Sequence, residues 1–193
     1  MGSHKELFVV YKDVICASSK FFKAACSERW VQGKESKFFL LEVEPKTFQS
    51  YVEWLYSGNY QLPACKGDPM DVVLSALDAA INLYLVGDFL DDVHLRNHIM
   101  EALFIHRLGC LPHVKMLKNL WARTTPASLL RKIFVEKIVV CGSRENIAMN
   151  ISKYPAELVQ EVALSSLTRL GTKDAATSSS KLESFLEPVL EDE

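Results

Sequence analysis

The chain has 193 residues, 49% hydrophobic and 24% charged, with a net charge of −2. A chain of this length removes roughly 70% of its unfolded surface from water without needing staples, and a net charge so close to zero excludes a global field that recruits nucleic acid or an acidic membrane. Its five cysteines, Cys16, Cys26, Cys65, Cys110 and Cys141, are odd in number and form no Cys-x-x-Cys pair, which argues against a disulfide framework or zinc finger and for reduced thiols in the cytoplasm or nucleus.

Met1-Gly2-Ser3-His4 reads as an expression scar and carries no fold information. No long apolar core follows it and no apolar run reaches 18 residues, so neither a leader nor a membrane span is expected. Glu6 to Tyr11 is aromatic and β-branched, which predicts a strand. Asp13 is placed to cap a helix from Val14 to about Arg29, with apolar positions at 14, 17, 21, 24 and 25 and Phe22 widening the stripe.

Lys37 to Val43 predicts a second strand, ended by Glu44-Pro45. Thr47 opens a helix with Phe48, Tyr51, Val52, Leu55 and Tyr56 on one face and Trp54 beside it; Gly58 suits a left-handed C-terminal cap. Residues 61–69, with two prolines and a glycine, predict a loop. A long apolar helix runs from Val72 to Val86, broken at Gly87-Asp88, and another from about Leu90 to Phe104.

Beyond His106 only helices are expected, over 114–121, 126–140, 144–151 and 155–170, with Pro126 and Pro155 in first-turn positions. Residues 171–180 predict a mobile polar linker. The stretch 182–193 is acidic, with Leu182, Phe185, Leu186, Val189 and Leu190 near helical spacing. Such a tail can dock on its own domain or on a partner.

Three segments carry a family resemblance. Val9-Val10-Tyr11-Lys12-Asp13-Val14-Ile15-Cys16-Ala17-Ser18-Ser19-Lys20-Phe21-Phe22 resembles the central signature of BTB/POZ domains. Trp54-Leu55-Tyr56-Ser57-Gly58-Asn59-Tyr60 resembles that family's Trp-Leu-Tyr-Thr-Gly-x-Tyr helix end, and Leu83-Tyr84-Leu85-Val86-Gly87-Asp88-Phe89-Leu90 its Leu-Tyr-x-Leu-Ala-Asp-Lys-Tyr segment. The match spans about residues 6–106. Downstream, Trp121, Thr124-Thr125-Pro126 and Leu130-Arg131 resemble the helical extension of fungal BTB proteins.

The resemblance implies an α+β fold, a small sheet covered by helices, followed by an all-helical extension. The domains expected are 5–106, 107–170 and a tail region 171–193. It also implies a non-catalytic protein–protein interaction domain that self-associates as a homodimer or higher oligomer. Tyr11 stands where the family usually has histidine, and the family's first strand and dimerisation helices do not precede the signature here. An open edge of this kind invites pairing with another chain. Phe8, Val10, Tyr11 and Lys12 are therefore expected at an interface, with Lys12 as half of the polar pair of transcription-factor BTB dimers. Some BTB proteins bridge a cullin scaffold to ubiquitylation substrates through a hydrophobic-x-Glu motif. Gly33-Lys34-Glu35 occupies that place, keeping Glu35 and Lys34 but giving no side chain at Gly33.

Other chemistry is weakly represented. Asp91, His94 and His98 share a helical face at i,i+3 and i,i+4 spacing and form the best metal candidate. With no fourth ligand apparent, solvated or capping residues are the expectation, and no metal or cofactor is assigned. Cys16 and Cys26 lack a neighbouring histidine and sit among apolar residues, so buried packing is expected rather than nucleophilic work. No phosphate-cradling glycine motif and no Gly-x-Ser-x-Gly elbow occurs, and no enzyme activity is expected. Arg107, Lys115, Lys118, Arg123, Arg131, Lys132 and Lys137, against Glu136, form a basic concentration. It suits a solvated helical face or a dock for the acidic tail, and as a basic helical surface it allows a transcription-related regulator; nucleic acid is not the expected partner.

Overall fold

The structure, a computed structural model, describes residues 6–27, 37–60, 70–105, 112–171 and 181–189. These form two compact units. One comprises 6–27, 37–60, 79–102 and 187–189; the other comprises 70–78, 103–105, 112–171 and 181–186.

The first unit corrects the expected fold class. Among the described residues there is no strand and no sheet. Burial alternates along residues 6–11, with Phe8 and Val10 half-buried and Leu7, Val9 and Tyr11 exposed, and Tyr11 has extended dihedrals, but a strand exists only where a neighbour completes its ladder. Residues 37–40 pair with no ladder and 41–43 turn, the Val43 N–H bonding the Leu40 carbonyl at 3.4 Å. The aromatic residues that favour a strand serve here as docking points on helices. Phe8 packs edge-on against Phe48 with centroids 5.1 Å apart, and Phe38 against Phe22 at 5.5 Å.

The single helix expected from Val14 is two, α1 (Lys12–Ser18) and α2 (Lys20–Ala25), parted at Ser19. Asp13 lies inside the first turn of α1, and Tyr11 is the N-cap residue. The buried stripe is Ile15, Ser19, Phe22 and Cys26, one phase away from the stripe read from the sequence. Helix α3 (Pro45–Ser57) begins with Pro45 in its first turn, where the missing N–H costs nothing. It buries Phe48, Tyr51 and Trp54, and Gly58 closes it at φ 63° as expected.

Helix α4 (Met70–Phe89) continues through Gly87, and the next helix, α5 (Val93–Ile105), starts after a turn at 90–92. Gly87 is a contact point rather than a break: a methyl there would lie 3.1 Å from Leu95 and 3.3 Å from Arg96. The break falls at Asp91, which adopts φ 49°, and Asp92, which caps α5. By length and composition alone, Asp71–Phe89 is apolar enough to cross a membrane; half of it is buried within the protein, as in a core helix. The core of the first unit gathers Ile81, Leu83, Leu85 and Val86 of α4 with Leu95, Ile99 and Met100 of α5.

The second unit is helical, as expected: α6 (Val114–Arg123), α7 (Leu129–Cys141), α8 (Arg144–Asn150) and α9 (Ala156–Gly171). Pro126 lies in the turn before α7, not within it. Leu117, Leu120, Leu130, Phe134 and Leu158 form the core. The tail docks here through a 3₁₀ turn, Leu182–Phe185, which buries Phe185 against Phe104 at 5.8 Å. The expected loop at 61–69 and the linker at 172–180 lie outside the described residues.

Candidate interaction surface

The centre of the first unit is a polar node. Asp92 is fully buried and accepts hydrogen bonds from the Ser18 hydroxyl (2.6 Å), the Tyr51 hydroxyl (3.0 Å) and the Leu95 N–H (2.9 Å). Burial, with the nearby Asp92 charge, pushes the Tyr51 phenol upward, so it stays protonated and donating. Ser19 accepts from the Phe22 N–H at 3.2 Å and donates to the Leu90 carbonyl at 2.5 Å. The N–H groups of Phe21 and Lys20 reach the carbonyls of Leu90 and Asp91, both at 3.3 Å. The start of α2 is thereby fastened to the turn between α4 and α5. Sequence reading missed Asp92 and Ser19; the signal present was an Asp three residues before Leu95 at a helix start.

This node holds α1 and the extended segment before it in place. Along that segment Leu7, Val9 and Tyr11 are 82%, 88% and 76% exposed. The Tyr11 N–H is held by the Tyr56 hydroxyl at 3.1 Å, and the two rings meet edge-on at 6.5 Å. Lys12, the first residue of α1, is exposed. Phe39 and Leu41 are exposed too, at 75% and 86%. Of the six residues expected at an interface, Phe8, Val10, Tyr11 and Lys12 lie along one stretch, its inward side chains held by helices. Lys34 and Glu35 lie outside the described residues.

The other candidates disperse. His98 is engaged by Tyr60, with Nε2 3.0 Å from the Tyr60 N–H and 3.1 Å from its carbonyl. Asp91 lies 3.5 Å from Arg96, and His94 lines a small cavity with Asp91. The trio does not converge, and no group of three potential ligands assembles among the described residues. Cys16 donates to the Phe22 carbonyl at 3.5 Å; burial first, and then Cys26, push its thiol up to about 11, the opposite of nucleophile activation. Cys26 is buried and Cys141 exposed, each a free thiol.

The basic concentration loses its central member. Arg131 is buried, its guanidinium over the Trp121 ring at 5.3 Å, bonded to Glu157 (2.8 Å), Glu161 (3.2 Å), Thr124 and the Trp121 carbonyl (2.7 Å). Lys132 sits over the Phe185 ring and donates to the Ser184 carbonyl at 3.0 Å. Lys115, Lys118 and Arg123 remain on the surface.

The first unit thus presents a braced segment, residues 6–11, at its surface, and no group of three potential metal ligands assembles among the described residues. A family model of the BTB/POZ domain matches residues 2–94. Residues 2–94 carry a BTB/POZ domain, and that domain is a protein–protein interaction domain. No curated protein and no solved structure matches it.

Proposed function

We propose that the chain is a non-catalytic scaffold that self-associates and recruits protein partners through the segment Leu7 to Lys12, in the cytoplasm or nucleus. The observation that carries this reading is the exposure of Leu7, Val9 and Tyr11 on an extended backbone whose other face is anchored by Phe8 on Phe48. Large apolar side chains on an extended edge lose contact with water when a second chain pairs there. A dimer interface of ordinary size buries about 1,600 Å² in total.

Light scattering at micromolar concentration tests it. The full chain runs as a dimer or larger, and Leu7→Asp with Val9→Asp lowers the mass to that of one chain. A monomeric unaltered chain overturns the reading. A second reading, a substrate adaptor on a cullin scaffold, is supported by Glu35 in its motif position. A pull-down with a cullin N-terminal domain tests that one, and failure of the unaltered chain to bind rejects it. The regulator with a basic helical surface gains less support, because Arg131 faces inward.

A further inference from the structure

Asn97 and Arg96, neighbours on α5, grip one residue of the acidic tail in a way that recognises both its backbone and its charge. The Asn97 side-chain amide donates to the Glu187 carbonyl at 2.8 Å, and its oxygen accepts the Glu187 N–H at 2.8 Å. One amide therefore satisfies both main-chain groups of a single residue, which holds an extended chain independently of its sequence. Arg96 supplies the selection. Its Nε and Nη2 meet the two carboxylate oxygens of Glu187 at 2.6 Å and 2.5 Å, a planar fork on a fork. Two residues on, Val189 is 46% exposed and borders a cavity of about 80 Å³ lined also by Ser18, Lys20, Lys23, Asp91 and His94. That volume is far below the roughly 300 Å³ at which small-molecule sites begin, so recognition rests on Glu187.

The site does not depend on the tail for its charge balance. Asp91 and Asp88 approach the same guanidinium at 3.5 Å and 3.9 Å, and the Gly87 carbonyl accepts from Nη1 at 3.1 Å. Arg96 thus stays compensated when Glu187 departs, whereas Glu187 enters as the third carboxylate at one cation. Residues 187–189 lie in no helix.

We propose that Arg96 and Asn97 form a peptide-reading site for an extended partner segment that carries a glutamate, with Glu187 of the tail as a built-in competitor. A partner protein fits better than a second copy. The tail of a second copy offers the same contacts as the tethered tail it must displace, and the tether gives the latter a high local concentration.

The probe is a fluorescein-labelled peptide with the sequence of residues 186–193, followed by anisotropy against the full chain. Glu187→Ala, which weakens the competitor, binds it at least tenfold more tightly than the unaltered chain. Adding Asn97→Ala abolishes that gain, and a peptide with glutamine at its first glutamate loses it too. No binding by Glu187→Ala, or equal binding by all the chains, overturns the proposal. Glu187→Gln, which keeps the shape and removes the charge, is measured alongside; circular dichroism shows which variant is folded, and the folded one must give the same order. A Glu187→Ala chain that exchanges tails into a dimer, abolished by Asn97→Ala, would assign the site to a second copy and overturn the assignment to a partner.

Discussion

A carboxylate with no exposed surface is tolerated only where donors replace the water it gives up. Asp92 has three such donors, drawn from α1, α3 and α5, and it also caps α5. Asp92→Ala removes the cap and strands the Ser18 and Tyr51 hydroxyls, so a loss of about 2–4 kcal/mol is expected in urea unfolding. Tyr51→Phe removes one donor only and is expected to cost about 1–2 kcal/mol. Arg131 plays the matching part in the second unit. Lysine cannot reproduce its fork toward Glu157, Glu161 and two carbonyls, so Arg131→Lys is expected to cost about 1–3 kcal/mol, from the hydrogen bonds left unmade.

Cys16 makes a pH-dependent prediction. Its thiol is pushed up to about 11, so at pH 8 only about one molecule in a thousand carries the thiolate that alkylates. Mass spectrometry after iodoacetamide treatment at pH 8 should find exposed Cys141 modified well before Cys16. The folded state holds this proton more tightly than the unfolded chain, whose thiol has the ordinary value of about 9. The associated stability is present below pH 9 and is lost as pH rises through about 11.

At the scale of elements, the division of one helix into α1 and α2 is the decisive event. Serine is a poor interior helix residue and a good cap, because its hydroxyl competes for nearby backbone groups. At Ser19 that competition is won with help from far along the chain, through the Leu90 carbonyl. Ser19→Ala leaves that carbonyl and the Phe22 N–H without their hydroxyl partner, and a loss of about 1–2 kcal/mol is expected in thermal or chemical melts. The same reasoning explains why Gly87 misled as a helix breaker. A glycine inside a helix costs about 1 kcal/mol against alanine, but here it admits Leu95 and Arg96 at close range.

For the whole molecule, much of the chain was legible. The helices at 114–123, 144–150 and 156–171 lie within a few residues of their expected places because their apolar spacing and prolines are local signals. The family was legible from three short segments, since each is a packing motif whose residues are close in sequence. The sheet was misread because strand propensity describes a residue's fitness for a pleated surface, and says nothing of whether a neighbouring strand is there. The Asp92 cap left a local signal, but the partners at the Asp92 node and the Glu187 site could not be read: they join residues as far apart as 18 and 92, or 96 and 187.

The helices beyond residue 112 and the BTB/POZ motifs are legible in the sequence, since these follow from local period and short segments. Tertiary contacts set where the first helix breaks, that residues 6–11 form no ladder, that Arg96 and Arg131 are buried, and which residue the tail inserts. The physical reason is the same in each case. Hydrogen bonds and ion pairs form where two distant groups lose water together, and one stretch of sequence names only one of the two.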